Sequence, residues 1–238
     1  MIPDSLIDAL GGARFVTVLT GAGISAESGV PTFRGGGQCA VWKGMRFDQI
    51  SSARMVRENL DEVWEWFDYR RGILGGCQPN AAHVALAAWT DRFAEFTLVT
   101  QNVDGLHSAA GSVDVIELHG NINRAVCTEC GRRFDLGREV PHRPDDCPND
   151  GARLRPDVVL FGEMLPAKAF ETAELRARRC DVFLIVGTSA LVYPAIGLAE
   201  IAKSAGAFLA EINPEETPMS DFCDVTIRDR AGAILPKL

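Results

Sequence analysis

The chain has 238 residues, 47% apolar and 24% charged, with 24 Lys and Arg against 32 Asp and Glu and a formal charge of −8. That content supports one substantial core, the acidic balance argues against direct binding of nucleic acid, which calls for basic patches, and no apolar run reaches the roughly 18 residues of a membrane span. Seven cysteines, an odd number, and an N-terminus without the basic and apolar regions of a secretory leader point to reduced thiols and a cytoplasmic location.

A helix is expected near residues 5–10, followed by a buried strand over the apolar run 15–20. Directly after it comes Gly21-Ala22-Gly23-Ile24-Ser25-Ala26. A glycine-rich turn after a buried strand presents backbone N–H groups to a phosphate, and glycine lets the backbone approach the ligand. A dehydrogenase would carry an Asp or Glu roughly 20 residues further on for the ribose. The corresponding stretch, 35–42, has neither a strand pattern nor a carboxylate, so hydride transfer is disfavoured. One long helix is expected over 55–74, with Val56, Leu60, Val63, Trp64 and Phe67 as its apolar stripe. Helices at 81–91, 167–179 and 194–205 alternate with strands at 96–100, 113–118, 182–186, 207–212 and 225–227. That alternation predicts a parallel, doubly wound sheet.

Residues 127–155 break the pattern and read as a small insertion poor in apolar residues. Cys127, Cys130 and Cys147 have the spacing of half a zinc ribbon plus a third thiolate, and such an insertion needs a staple. Asp150 stands where a fourth cysteine is expected, and its carboxylate can complete a Cys3Asp site. His142, Asp145 and Asp146 compete for that role, and a site that has lost its metal is the alternative.

Gln101, Asn102 and Asp104 follow one strand and His119 follows the next, which places them at the carboxyl edge where open α/β sheets bind ligands. Imidazole titrates near neutral pH, making His119 the best general-base candidate of the four histidines, with His83 and His107 read as structural. Gly187-Thr188-Ser189 and Asn213-Pro214-Glu215 close two further strands, as nucleotide contacts or as ordinary turns.

Taken in order, GAGISAESGVPTFRG at 21–35, TQNVDGLH at 100–107, HG at 119–120, the cysteine module, RPDVVLFGE at 155–163, GTS at 187–189 and INPE at 212–215 resemble the sirtuin family of NAD-dependent protein deacylases. The resemblance covers residues 15–235. It implies an α/β fold, a Rossmann-like parallel sheet with helices on both faces plus a small zinc-ribbon-like inserted module, in a single catalytic domain. The Rossmann part would span about 1–38, 80–125 and 156–238, and the small module about 39–79 and 126–155. It also implies NAD as cofactor, a structural Zn2+, acyl-lysine proteins as partners and a monomer. Gly21, Ala22, Gly23, Ser25, Ala26 and Thr32 would hold the pyrophosphate, with Phe33 and Arg34 close to the reacting ribose. Gln101, Asn102 and Asp104 would contact the nicotinamide half. Gly187, Thr188, Ser189, Asn213, Glu215 and Ala231 would contact the adenosine half. Phe161, Gly162, Glu163, Val192 and Tyr193 would flank the acyl-lysine peptide, added as a strand. In the reaction so implied, the acyl oxygen displaces nicotinamide, and His119, with Asn102 beside it, acts as general base on a ribose hydroxyl. Free lysine and O-acyl-ADP-ribose result.

In one sirtuin class a Tyr-x-x-Arg pair reads the carboxylate of succinyl-, malonyl- or glutaryl-lysine; here Phe67 and Arg70 take those places. Positions i and i+3 share a helix face, and a guanidinium can clamp a carboxylate alone, although a lost hydrogen bond to a charged group costs about 1.5–3 kcal/mol. Ala40 would leave room for an acyl chain longer than acetyl. The alternative puts Phe67 in the core and Arg70 on a solvated face. An ADP-ribosyltransferase or NAD hydrolase using the same pocket is the rival activity, and a non-enzymatic NAD binder the rival class.

Overall fold

The computed structural model describes residues 2–31, 41–138 and 146–238. Thr32, Phe33, Arg34 and Ala40, and the competing ligands His142 and Asp145, lie outside the described residues. In chain order the first half forms α1 (Asp4–Gly12), β1 (Phe15–Thr20), a 3-10 turn (Ala22–Ser28), β2 (Val41–Trp42), β3 (Met45–Arg46), α2 (Phe47–Ile50), α3 (Ala53–Glu58), α4 (Leu60–Gly75), α5 (Ala81–Ala88), β4 (Glu95–Thr100), α6 (Leu106–Ala109) and β5 (Ile116–Glu117). The second half forms β6 (Gly120–Cys127), β7 (Arg133–Asp135), β8 (Leu154–Val158), α7 (Ala167–Arg179), β9 (Val182–Val186), α8 (Gly197–Ser204), β10 (Phe208–Ile212), β11 (Val225–Ile227) and α9 (Ala231–Ile234).

Among the described residues, six strands form one parallel sheet in the order β11-β10-β9-β1-β4-β5. β9 reads as an unbroken apolar run because both its faces are covered. Val182, Leu184 and Val186 point into a core shared with α1, α5 and α9, while Phe183 and Ile185 point into a second core shared with α7 and α8. Strand order reverses between β1 and β9, and a crevice opens at the carboxyl ends of strands at such a switch point.

A third core sits beside the sheet. Val63, Trp64, Trp66, Phe67 and Leu74 of α4 pack on Ile122, Cys127, Cys147 and Leu154, and the Trp64 indole N–H donates to the Leu154 carbonyl at 2.8 Å. Its partner is an antiparallel sheet ordered β7-β6-β8. The module extends beyond the 127–155 expected from the sequence: β6 begins at Gly120, and Asn121, Asn123 and Arg124 hide the alternation that marks a half-buried strand. Two further expectations are corrected. The helix over 55–74 is two helices, broken where Asn59 leaves helical geometry (φ −155°, ψ 75°) and accepts the Glu62 N–H at 3.3 Å as an N-cap. The strand over 113–118 contracts to β5, since Asp114 takes a positive φ of 52° that a strand does not tolerate.

Candidate functional site

The turns after β1 and β9 meet at the switch point. The Gly21 N–H donates to the Val186 carbonyl at 3.0 Å and the Gly23 N–H to the Gly187 carbonyl at 2.7 Å. A Cβ on Gly21 would lie 2.7 Å from the Thr188 Cβ, and one on Gly23 2.6 Å from the Gly187 oxygen. The physical need for these glycines is thus backbone-on-backbone packing of two turns, where the sequence reading had looked to ligand approach. Gly187 itself has φ +59°, and its Cβ would stand 2.3 Å from the Ile24 nitrogen. Gly187→Ala is therefore expected to destabilise the chain by about 3 kcal/mol, checked by urea unfolding; a midpoint equal to the parent's would refute the packing argument. Ala22 is half-buried and Ala26 exposed in the 3-10 turn between them.

Beneath that turn lies a polar cluster. The Ser25 hydroxyl donates to Asp104 Oδ2 at 2.8 Å, and Asp104 Oδ1 accepts the Leu106 N–H at 2.9 Å. The Asn102 side-chain amide donates to the Gly21 carbonyl at 3.0 Å and lies 3.3 Å from Ser25 Oγ. His83 Nδ1 accepts the Asn80 N–H at 3.3 Å, so its proton sits on Nε2, which faces Ser25 Oγ at 3.3 Å. His107 Nε2 lies 2.9 Å from Thr20 Oγ1, while its Nδ1 is buried without a partner among the described residues. Burial, and then the neighbouring His83 ring at 4.9 Å, push the His107 pKa down to about 3. Both rings are neutral near pH 7. The participation of Thr20 and Thr100, which bond each other at 2.8 Å, left no signal in the sequence, since a strand-end threonine reads as ordinary β-propensity.

His119 is half-buried at the end of β5. Its Nδ1 lies 2.8 Å from the Gln101 carbonyl. A carbonyl only accepts, so Nδ1 carries the proton and the Nε2 lone pair is left for chemistry. Burial lowers the His119 pKa below the ordinary histidine value, and the Gln101 bond opposes it. Gln101 Nε2 donates to Thr188 Oγ1 at 3.1 Å, and Asn213 Nδ2 to the Thr188 carbonyl at 2.8 Å. A continuous run of hydrogen bonds thus links the ends of β4, β5, β9 and β10. Ser189 is half-buried beside it and Glu215 exposed. Ala231, buried, opens α9, whose Gly232 N–H is held by Glu27 Oε2 at 2.9 Å. Side-chain amides, hydroxyls and one neutral imidazole make a donor set suited to ribose hydroxyls and a carboxamide, the polar groups of a dinucleotide.

The segments expected around a peptide are exposed: Phe161 by 53% and Tyr193 by 66%, with Val192 between Leu191 and Tyr193 also open. Gly162 takes φ +87°. The Glu163 carboxylate is engaged elsewhere, accepting from Arg155 at 2.5 and 3.0 Å and from the Leu160 N–H at 2.9 Å. Burial pushes its pKa up, but Arg155 and the Leu160 N–H outweigh that and hold it below the ordinary carboxylate value. Phe67 is 2% exposed within the third core, and the Arg70 guanidinium lies over the Trp66 ring at 5.5 Å.

The expected metal ligands converge. One ligand atom each from Cys127, Cys130, Cys147 and Asp150 lies within 4.8 Å of the others. Cys130 and Cys147 sulfurs are 3.7 Å apart, which matches the roughly 3.8 Å edge of a tetrahedron with Zn–S bonds of about 2.3 Å. Asp150 Oδ1 and Oδ2 lie 3.4 and 3.5 Å from Cys127 Sγ. The Glu129 and Cys130 N–H groups point at Cys127 Sγ, both at 3.4 Å, as they would to stabilise a thiolate. The donor set and spacing fit a closed structural zinc site, with Asp150 as its fourth ligand.

A model of the Sir2 family matches residues 21–194. An NAD-dependent protein deacylase 1 of Caldanaerobacter subterraneus subsp. tengcongensis is 47% identical over 210 residues, 87% of this chain and 86% of that protein. An NAD-dependent protein deacylase of Aquifex aeolicus is 44% identical over 224 residues, 94% and 93% of the two chains. Among solved structures, a Sir2 homologue in complex with NAD superposes with a TM-score of 0.91 at 38% identity, covering 100% of this chain and 92% of that one. A Sir2 homologue triple mutant bound to 2'-O-acetyl ADP ribose gives 0.89 at 38%, over 99% and 94%. A Sir2–p53 peptide–NAD+ complex gives 0.85 at 28%, over 100% and 97%. The fold, the switch-point site and these matches agree, and the chain belongs to the Sir2 family.

Proposed function

We propose that this chain is an NAD-dependent protein-lysine deacylase that turns acyl-lysine, NAD and one water into free lysine, nicotinamide and O-acyl-ADP-ribose, the water entering only after nicotinamide has left. The observation that carries the reading is His119, held at the carboxyl edge by Nδ1–H on the Gln101 carbonyl so that Nε2 is a ready base. The Sir2 complexes with NAD, with an acetyl-ADP-ribose and with a peptide support it.

When bound, NAD supplies the ribose carbon that takes the acyl oxygen as nicotinamide leaves. Asn102 and Asp104, fixed through Ser25 and the Gly21 carbonyl, orient the nicotinamide half. Thr188, Ser189 and Asn213 hold the adenosine half, with Glu215 and Ala231 at its rim. His119 Nε2 takes the proton of a ribose hydroxyl. Its lowered pKa keeps it unprotonated near pH 7, the state a general base requires. Phe161, Gly162, Val192 and Tyr193 line the approach of the peptide and help exclude water, which would otherwise hydrolyse the activated ribose. Glu163 fixes the 160–163 turn through Arg155 and contributes no free carboxylate.

Incubation with NAD and matched acetyl- and succinyl-lysine peptides, followed by mass spectrometry, tests the reading. Deacylated peptide with acyl-ADP-ribose is expected. Nicotinamide release with both peptides intact would replace the reading by NAD hydrolysis or ADP-ribosyl transfer. On the acyl preference, Arg70→Met is expected to lower kcat/KM on succinyl-lysine at least tenfold more than on acetyl-lysine, since a guanidinium pairs only with the acidic acyl group. Equal losses on the two peptides would remove Arg70 from acyl recognition.

A further inference from the structure

Glu211 is an anomaly in the parallel sheet: a carboxylate with 0% exposure at the fourth position of β10. Buried carboxylates persist where they are paired and hydrogen-bonded, and here both oxygens are engaged. Thr217 donates its hydroxyl to Oε1. Oε2 accepts from Ser220 Oγ at 2.7 Å and from Arg228 Nη1 at 2.7 Å. Arg228, its side chain 34% exposed, uses its planar fork to reach further, to Ser220 Oγ at 2.7 Å and to the Glu215 carbonyl at 3.2 Å.

Glu215, Thr217 and Ser220 lie on the segment that leaves β10, and Arg228 directly follows β11, the neighbouring strand. The Glu215 N–H in turn points at Asn213 Oδ1 at 3.4 Å, and Asn213 Nδ2 reaches the Thr188 carbonyl at 2.8 Å. The carboxylate therefore closes a ring: it grips the far end of the turn through Thr217 and Ser220, and its middle through Arg228. Residues 213–217 then have one position relative to the turn after β9. An apolar residue at 211 would fill the same space but would leave Arg228 and both hydroxyls without their common acceptor, and the turn without a fixed seat.

We propose that Glu211, acting through Arg228, is a positioning residue that pre-orders the turn carrying Asn213 for the adenosine half of the dinucleotide. The inference rests on the NAD reading above. It assigns to an ion pair with one buried partner, at a strand end away from His119, a role in dinucleotide affinity, separate from peptide binding and from proton transfer.

The test is titration calorimetry of NAD into the parent chain, Glu211→Gln and Arg228→Lys, with steady-state kinetics on an acyl-lysine peptide. Glu211→Gln keeps the shape and removes the charge. Arg228→Lys keeps the charge and loses the fork that reaches Ser220 and Glu215 together. The expected result is a Kd for NAD raised about tenfold in Glu211→Gln and about threefold in Arg228→Lys. KM for NAD should rise in parallel, with kcat at saturating NAD and KM for the peptide within about twofold of the parent. A merely structural role would lower the active fraction, and with it kcat, without moving either constant. Unchanged NAD affinity in folded Glu211→Gln overturns the proposal. If that variant does not fold, unchanged affinity in Arg228→Lys does so. A parent chain that fails to bind NAD at all would instead sink the deacylase reading.

Discussion

His119→Ala is expected to reduce lysine deacylation by about a thousandfold while leaving NAD affinity within a few-fold of the parent chain. A positioned general base contributes typically 10²–10⁴-fold, and among the described residues the His119 ring is attached to the rest of the site through one hydrogen bond, from Nδ1 to the Gln101 carbonyl. Removing the ring takes away Nε2 and leaves Gln101 still bound to Thr188 Oγ1 at 3.1 Å. The residues assigned to the two halves of the dinucleotide thus keep their mutual geometry. Calorimetry with NAD and single-turnover deacylation separate the two effects. Turnover near the parent's would overturn the base assignment, and loss of NAD binding would make His119 a binding residue. The pH profile carries a linked expectation. Burial lowers the His119 pKa, so the acid limb of kcat/KM, where Nε2 gains its proton, should lie below the ordinary histidine value. The same sign holds for stability. Below pH 6.5 the unfolded chain protonates its histidines while the buried His83, His107 and His119 resist. The unfolded state then binds more protons, and stability declines as pH falls from about 6.5 toward the His107 value of about 3.

The second large effect concerns the metal. The purified protein is expected to carry one zinc per chain, and stripping it should melt the sheet β7-β6-β8 well below the parallel sheet. The ligands are built into packing: Cys127 and Cys147 are 3% and 2% exposed and belong to the third core with Trp64 and Leu154. Without a cation, thiolates and a carboxylate within 4.8 Å repel one another. Apparent zinc affinities in finger peptides reach about 10–16 kcal/mol; here part of the stability comes from the core, so a partial loss of structure is expected. Asp150 is the informative position. Its carboxyl is drawn down to about 2, first by the Ala152 N–H and then by the cysteine thiols, so it is ionised and ready to ligate. Asp150→Ala should weaken zinc retention at least tenfold, whereas Asp150→Cys should restore or exceed it, because thiolate suits zinc. Metal analysis by mass spectrometry and melting with and without a chelator provide the readout. A metal-free chain whose melting ignores the chelator would leave the four residues as an unliganded cluster.

The consequences of a metal-free module reach the site. The His119 carbonyl accepts the Val159 N–H at 2.9 Å, directly after β8. Arg124 and Arg133 of β6 and β7 share Asp157 of β8, each at 2.9 Å, and Arg124 continues to Glu117 at 2.5 Å, two residues before His119. The antiparallel sheet is thereby pinned to the strand end that holds His119. Zinc loss is expected to lower activity through position, with no zinc-centred chemistry required.

How much of this was legible beforehand depends on the range of the interactions involved. β1, β9 and β11 were bounded correctly; β1 and β9 are buried on both faces and so write themselves as near-continuous apolar runs. α7 was bounded correctly because its apolar residues recur at helical spacing between Pro166 and Cys180. The alternation of these elements determined the parallel sheet, strand ends placed His119 and Gln101 on one edge, and C-x2-C spacing marked the metal module. Each of these signals is local, carried by side chains a few residues apart.

What the sequence did not determine is set by contacts between distant segments. Gly21 and Gly23 are required by the backbone of Gly187 and Thr188, about 165 residues away along the chain. The Asn59 break in the helix is the choice of an N-cap over a helix interior, two roles that one asparagine can take. β6 escaped notice because its partners β7 and β8 supply the burial that its own polar residues conceal. The tautomer of His119 is fixed by a carbonyl 18 residues earlier, and the neutrality of His107 by its burial in the closed core and then by the ring of His83. A sequence records which groups are available. Which proton a histidine keeps, and which glycine has no room for a methyl group, is decided only when the sheet brings those strand ends together.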